Sequence, residues 1–423
     1  MSDLQRSFAK AKLAGLPFDP PMPSTDLPDE DEHAEEADYL KPLPDPTQDD
    51  DSSSASSASS ASSTGTIRPS PSKHLFARPK GYPSLKKSLD PLPWNDYFSQ
   101  ECYWANHRPT ESITHHVYFV PPIGKAPLLV MHHGAGSSGL SFALFSLEIR
   151  KALPNCGLLS VDARGHGETT VSSLEASPND GDPDLSLEVL SQDLAEVVGL
   201  AKTEMGWVEM PDIVLIGHSL GGAVVADLAV SGRLGKSVLG YAVLDVVEGS
   251  AMDALQSMQQ YLATRPKTFP SLHSAIEWHT RTRTVRSTMS ARISVPSLMR
   301  RVPASSNAND DHDETWTWRT ELSKTEQYWS NWFNGLSSKF LSANGGKLLI
   351  LAGTDRLDKE LMIGQMQGKY QLQVFPEAGH FVQEDCAEKT AIAVADFVKR
   401  NDRAALVLPP KVGQMAEKAN GLK

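Results

Sequence analysis

The chain has 423 residues, a formal net charge of −12 and three cysteines. So few cysteines in so long a chain argue against a disulfide framework and favour a reducing compartment, and the negative charge argues against nucleic-acid binding. The polar N-terminus lacks the apolar segment of a secretory signal, and no stretch reaches the roughly 18–20 apolar residues that cross a bilayer. We therefore expect a soluble protein of the cytosol or nucleus.

The first part of the chain is acidic and rich in serine and proline, as in the Ser/Ala run at residues 52–63. Such a segment cannot bury enough apolar surface to offset the loss of chain entropy on folding. We expect residues 1–74 to be a disordered N-terminal region, residues 75–403 to fold as one domain, and residues 404–423 to form a C-terminal tail.

Within the expected domain, short apolar runs alternate with amphipathic segments. This alternation predicts an α/β fold with a mostly parallel central sheet flanked by helices. Between the third and fourth strands, apolar residues recur at spacings of three, four and seven, which predicts a helix over about 185–201. The predicted strands are residues 117–120, 127–131, 157–161, 213–216, 239–244, 347–351 and 371–375.

Residues 251–335 interrupt this alternation with a long block that carries five tryptophans. The block lies between two predicted sheet strands, so we expect a helical lid insertion in which most of the tryptophans pack into the lid core. A polar stretch within it, residues 302–314, is expected to be a mobile loop. The five tryptophans are Trp278, Trp316, Trp318, Trp329 and Trp332.

The strongest motif is Gly-His-Ser-Leu-Gly at residues 217–221, which follows the apolar run 213–216 and precedes an Ala/Val-rich segment. Strand, G-x-S-x-G and helix in this order are the sequence form of a nucleophile elbow, so Ser219 is the candidate nucleophile. The amide of Leu220 is one candidate oxyanion donor. The second is the amide of Ala135, in the glycine-bounded loop after strand 127–131.

His380 follows the last predicted strand and is the candidate general base, because it lies well after Ser219 in the chain. The acid is left open by the residues alone. Asp245 ends the strand after the elbow helix, whereas Asp355 and Asp358 follow the next strand. Other histidines lie at strand or loop edges without metal-ligand spacing and are expected to be structural; they are His115, His116, His132, His133 and His166.

Serine at the nucleophile position excludes the chemistries that place aspartate there, and acyl transfer on an ester, thioester or amide remains. The turn at residues 162–169 reads Asp-Ala-Arg-Gly-His-Gly-Glu-Thr. We expect this turn to be scaffold, with substrate-carboxylate binding by Arg164 as the alternative.

Several longer stretches resemble the protein phosphatase methylesterase family of α/β-hydrolases. They include Pro-Leu-Pro-Trp-Asn-Asp-Tyr-Phe at 91–98, Asp-Val-Val-Glu-Gly-Ser-Ala-Met-Asp-Ala-Leu at 245–255, Arg-Pro-Lys-Thr-Phe at 265–269 and Ile-Gly-Gln-Met-Gln-Gly-Lys at 363–369. Together the matching stretches span roughly residues 91–390, and several are not general hydrolase motifs.

The resemblance implies an α/β-hydrolase fold and removal of the methyl ester from the C-terminal leucine of the type-2A protein phosphatase catalytic subunit, which would be the partner. It selects Asp245 as the acid and implies no cofactor, metal, nucleic acid or membrane partner. Phe381, after the candidate base, departs from the small residue that the family often has there and narrows the expected pocket. Two alternatives are a general cytosolic carboxylesterase for small esters and a phosphatase-binding inhibitor on the hydrolase scaffold.

Overall fold

The computed structural model describes residues 88–173, 183–302, 315–353 and 357–403. Its main sheet has the order β1-β2-β4-β3-β6-β7-β11-β12, with β5 paired to β2. From β4 to β12 the pairs are parallel, whereas β1, β2 and β5 pair antiparallel at one edge. The strands are β1 Gln100–His107, β2 Glu111–Val120, β3 Leu128–His132, β4 Gly157–Val161, β5 Thr170–Ser173, β6 Ile213–His218, β7 Val238–Leu244, β11 Gly346–Leu351 and β12 Gln371–Val374.

Helices cover both faces of this sheet. On one face lie α2, α3, α7 and α8, and on the other lie α1 and α11. Because both faces are covered, every residue of β3, β4 and β6 is buried, which is why these strands read as continuous apolar runs. The helices are α1 Ala143–Ala152, α2 Leu187–Glu204, α3 Leu220–Ser231, α4 Glu248–Thr264, α5 Leu272–Arg281, α6 Thr288–Ser297, α7 Glu326–Phe333, α8 Leu336–Ser342, α9 Lys359–Met366, α10 Val382–Asp385 and α11 Ala387–Asn401.

The insertion between β7 and β11 is not purely helical. Besides α4, α5 and α6, it contains a three-stranded antiparallel sheet made of β8 Thr268–Phe269, β9 Met299–Val302 and β10 Thr315–Trp318, in the order β8-β10-β9. Strands this short lack a period that could be read from the sequence. The insertion has an apolar cluster of its own, which includes Phe269, Ile276 and Met299.

The tryptophans of the insertion divide between two cores. Trp278, Trp316 and Trp318 pack against the cluster of the insertion. Trp329 and Trp332 instead belong to the main core, and Trp332 Nε1 donates to the carbonyl of Leu185 at 2.7 Å. The end of the insertion is therefore anchored to the hydrolase core.

The seven predicted strands coincide with β2, β3, β4, β6, β7, β11 and β12 to within a few residues, except that β2 starts earlier and pairs antiparallel. The antiparallel strands β1 and β5 were not predicted. The expected N-terminal region, the mobile loop apart from its first residue and the C-terminal tail lie outside the described residues. Among the described residues, no helix combines the length and apolarity that a membrane span requires.

Candidate active site

Ser219 sits at a sharp turn between β6 and α3. Its backbone has φ 52° and ψ −119°, a strained conformation for a residue with a side chain. The flanking glycines make the turn possible. A Cβ at Gly217 would lie 2.0 Å from the carbonyl oxygen of Gly221, and a Cβ at Gly221 would lie 2.1 Å from the carbonyl oxygen of His132. The elbow predicted from the motif is therefore present.

Asp245 and His380 are in direct contact. Asp245 Oδ2 lies 2.8 Å from Nδ1 of His380, and Oδ1 accepts from the backbone amide of Ala352 at 2.8 Å. The Asp245 side chain is buried, whereas about a third of the His380 side chain is exposed. A buried carboxylate at Nδ1 fixes the tautomer of an imidazole and leaves Nε2 available as a base.

Asp358, one of the two other candidates for the triad acid, has a structural role. It is the N-cap of α9, where its side chain accepts from the amide of Leu361 and from the hydroxyl of Ser337. Asp355 lies outside the described residues.

The candidate oxyanion loop lies directly against the nucleophile. A Cβ at Gly134 would lie 3.1 Å from Cβ of Ser219. Leu220 is the first residue of α3, so its amide has no acceptor within the helix. Among the described residues, no acceptor is bonded to the amides of Ala135 and Leu220. An oxyanion donor has to be available in this way, because its N–H must point at the substrate oxygen.

The loop that carries His380 is tied to the insertion. Asp385 accepts from the amide of Gly379 at 2.8 Å and from the amide of Arg286 at 2.7 Å. The guanidinium of Arg286 in turn donates to the carbonyl of Glu377 at 2.8 Å. Because Arg286 lies between α5 and α6, the insertion and the loop of the candidate base are linked on both sides of His380.

Beneath this loop, Glu384 is a fully buried carboxyl. The hydroxyls of Ser141 and Ser294 lie within hydrogen-bond distance of the carboxyl, at 2.6 Å from Oε1 and 2.7 Å from Oε2. Burial raises the pKa of Glu384 to about 8, so the carboxyl is largely protonated at neutral pH. It joins α10 to α6 and to the 3₁₀ turn Gly139–Phe142 after the oxyanion loop. Sequence patterns give no signal for this contact, because its partners are distant in the chain.

Within the described part of the chain, no hydrogen bond joins the hydroxyl of Ser219 to His380. Catalytic hydrogen bonds in enzymes without substrate often form only in the complex. The Asp–His half of the predicted triad is thus assembled.

Arg164 is a structural residue rather than a surface anchor. It is 1% exposed, and its guanidinium donates to Glu111 at 2.7 Å and to Asp193 at 2.8 Å. Both acceptors also bond Arg108. The expectation that the turn is scaffold agrees with these contacts.

One group of metal-type ligands occurs among the described residues. Atoms of His115, Asp193 and Glu196 lie within 4.8 Å of one another. Arg108 bonds both carboxylates, at 2.5 Å and 2.7 Å, so a cation would compete with a guanidinium for them. The group is best described as an ion-pair network.

Comparison with known proteins identifies the family. The profile of the Alpha/beta hydrolase family matches residues 129–394. The chain is 56% identical to protein phosphatase methylesterase 1 of Aspergillus oryzae, over 99% of this chain and 94% of that protein. It is 57% identical to the Gibberella zeae protein of the same name, over 98% of both chains. The chain belongs to the protein phosphatase methylesterase family.

The family extends beyond fungi. Protein phosphatase methylesterase 1 of Bos taurus is 41% identical, over 75% of this chain and 88% of the bovine protein. Among solved structures, E-2-(acetamidomethylene)succinate hydrolase has a TM-score of 0.53 at 17% identity, covering 71% of this chain and all of that one. A peroxisomal alpha-beta-hydrolase of Saccharomyces cerevisiae has a TM-score of 0.50 at 14% identity, covering 76% and 95%. These two likenesses show the α/β-hydrolase fold.

Proposed function

We propose that this protein is a serine hydrolase that removes the methyl ester from the C-terminal leucine of the type-2A protein phosphatase catalytic subunit. The observation that carries the proposal is the 2.8 Å contact between Asp245 and His380, in a chain whose Ser219 occupies a strained nucleophile elbow. Membership of the methylesterase family supports the substrate class, because relatives over nearly the whole chain carry that name.

In the proposed mechanism, Ser219 attacks the carbonyl carbon of the leucine methyl ester while His380 takes its proton. Asp245 stabilises the imidazolium that forms, and the amides of Leu220 and Ala135 bind the oxyanion. His380 then protonates the leaving methoxide, and methanol departs. Water, activated by the same imidazole, hydrolyses the acyl-enzyme and releases a free carboxylate.

The missing contact between Ser219 and His380 suggests how the enzyme selects its substrate. Because Asp385 and Arg286 tie the His380 loop to the insertion, a partner that shifts the insertion also shifts the base. Binding energy from a folded protein substrate can complete a site in this way. We propose that docking of the phosphatase subunit closes the Ser–His hydrogen bond.

The proposed location is the cytosol or the nucleus. The support is the use of cysteine, because Cys102, Cys156 and Cys386 are free thiols. Fluorescence microscopy of the tagged full chain tests this location, and enrichment in a secretory compartment would contradict it.

The central experiment measures methanol release from phosphatase catalytic subunit that carries a labelled methyl ester on its terminal leucine. We expect turnover by the full chain and none above background by Ser219→Ala, which should still bind the subunit. Release by Ser219→Ala would overturn the assignment of the nucleophile. Equal rates on simple aryl esters and on a leucine methyl ester would favour a general carboxylesterase, and binding without any turnover would favour an inhibitor.

A further inference from the structure

The loop that carries Ala135 is a tight turn with two hydrogen-bonded peptides. Residues 134–137 form a β-turn closed by the amide of Ser137, which donates to the carbonyl of Gly134 at 3.1 Å. Gly136 has φ 72°, the value that the third position of a type II turn requires. Two peptide planes of this turn, 134–135 and 135–136, each contact a buried histidine.

The contact of His133 fixes the first plane. Its Nδ1 donates to the carbonyl of Gly134 at 2.7 Å, and its Nε2 accepts from the amide of Ala163 at 3.0 Å. A backbone amide only donates and a carbonyl only accepts, so these partners require the tautomer with the proton on Nδ1. The Gly134 carbonyl and the Ala135 amide belong to one planar trans peptide and point in opposite directions. Holding the carbonyl therefore aims the amide.

The contact of His166 fixes the second plane. Its Nε2 accepts from the amide of Gly136 at 2.9 Å, and its Nδ1 donates to the carbonyl of Arg164 at 2.9 Å. These partners again require the proton on Nδ1. Both histidines thus connect the 134–137 turn to the backbone of residues 163 and 164, in the turn that follows β4. The buried side chain of Arg164 is held in turn by Asp193.

The two rings form a buried pair. They are 1% and 2% exposed, and their centroids lie 5.1 Å apart. Burial lowers the pKa of both imidazoles, so each stays neutral and keeps an acceptor nitrogen at neutral pH. A protonated ring would lose that acceptor and with it one backbone contact.

We propose that His133 and His166 are positioning residues for the oxyanion hole, which hold the turn so that the Ala135 amide faces the carbonyl oxygen of the substrate. The inference rests on the proposed function, since it assigns work to the oxyanion donor of that mechanism. Neither ring touches the reacting atoms; each acts through the backbone that it holds.

The test exchanges each histidine for asparagine and for glutamine in the full chain. Asparagine places its amide nitrogen near the position of Nδ1, whereas glutamine places its amide oxygen near the position of Nε2. The critical contact of His133 is the Nδ1 donor, and that of His166 is the Nε2 acceptor. We therefore expect a crossed pattern: asparagine rescues position 133 and glutamine rescues position 166.

Activity is measured on an aryl acetate, with the rate normalised to the burst amplitude so that unfolded protein does not count. The mismatched variants, His133→Gln and His166→Asn, should lose about 10–100-fold in kcat with little change in KM, because misplaced transition-state donors reduce catalysis rather than binding. Their inhibition constants for an aryl boronic acid, which forms a tetrahedral anion on serine, should rise in parallel.

The proposal would be overturned if the asparagine and glutamine variants had the same order of activity at both positions and their losses of kcat followed their losses of melting temperature. That result would indicate that the two histidines contribute packing alone. If the variants fail to fold, selective ¹⁵N labelling of the 13 histidines in the wild-type chain shows by NMR which ring nitrogen of His133 and of His166 carries the proton. We expect the proton on Nδ1 of both rings, and a proton on Nε2 of either would overturn the proposal. Ser219→Ala separates the two hypotheses, because its full activity on the aryl acetate would contradict the proposed function itself.

Discussion

The imidazole of His218 donates from Nε2 to the backbone carbonyl of His380 at 2.8 Å. The residue before the proposed nucleophile thus holds the backbone of the proposed base, and their rings lie 4.7 Å apart. Burial lowers the pKa of His218 to about 3, so the ring stays neutral throughout the physiological pH range, with its proton on the donating Nε2. The residue at the first variable position of the G-x-S-x-G motif therefore links the nucleophile turn to the loop of the proposed base.

Replacing His218 should impair catalysis through this contact. His218→Leu removes the donor, and since a hydrogen bond contributes about 1 kcal/mol, we expect kcat to fall about fivefold. His218→Gln keeps a nitrogen donor near the position of Nε2 and should retain most of the activity. Steady-state kinetics on an aryl acetate measures both, and equal losses in the two variants would show that the donor is irrelevant.

Asp245 and Asp358 should differ sharply when each is replaced by asparagine. Asp245→Asn can no longer stabilise an imidazolium or fix its tautomer, so we expect kcat to fall by about 10⁴. Asp358→Asn is the matched control, because asparagine also caps a helix. Its kcat and melting temperature should stay near those of the wild type. Similar losses of kcat in both variants would contradict the role of Asp245.

The buried carboxyl of Glu384 should make stability depend on pH. Its pKa is about 8 in the folded chain against about 4.5 in the unfolded chain, so the folded state binds the extra proton between these values. The stability it contributes is present in full below pH 4.5 and is lost as pH rises through 8, with a slope of up to about 1.4 kcal/mol per unit.

Comparison of the wild type with Glu384→Gln isolates this effect, because glutamine has a similar shape and does not titrate. Urea unfolding from pH 5 to pH 9 should show the wild type losing stability relative to the variant as pH rises. A difference between the two proteins that stays constant over this range would show that Glu384 is ionised in the folded chain.

Glycine substitutions should distinguish the elbow from ordinary helix positions. Gly221→Ala places a Cβ 2.1 Å from the carbonyl oxygen of His132, a backbone atom that cannot move without disturbing β3. We expect strong destabilisation and loss of labelling by a fluorophosphonate. Gly199→Ala, on the exposed side of α2 with no atom within 4 Å of the new Cβ, should raise stability by about 0.5–1 kcal/mol. A fully active Gly221→Ala variant would refute the close approach.

The size of the substrate should decide the rate of acylation. Since the hydroxyl of Ser219 does not bond His380 in the free chain, a short leucine methyl ester peptide should react more slowly than the whole methylated phosphatase subunit. Single-turnover rates at saturating substrate make the comparison independent of affinity. Equal rates would indicate a site that is complete before the partner binds.

The sequence predicts the parallel core of the fold because those strands are buried on both faces and therefore appear as uninterrupted apolar runs. It does not predict β1, whose residues are exposed or partly buried apart from Trp104 and form no such run. It also does not predict β8 and β10, which are too short to show a period. For the site, Ser219 has a local signature in its glycines. The acid does not, because the pairing of Asp245 with His380 joins residues 135 positions apart, and only the family resemblance selected it.

The contacts of Asp385 with Gly379 and Arg286 couple the position of the insertion to that of the proposed base. A movement of the insertion away from the hydrolase core would pull the base away from the nucleophile, so the more open form would also be the less active one. Small esters and water would then meet a less reactive serine, and wasteful hydrolysis would be limited without a separate inhibitor.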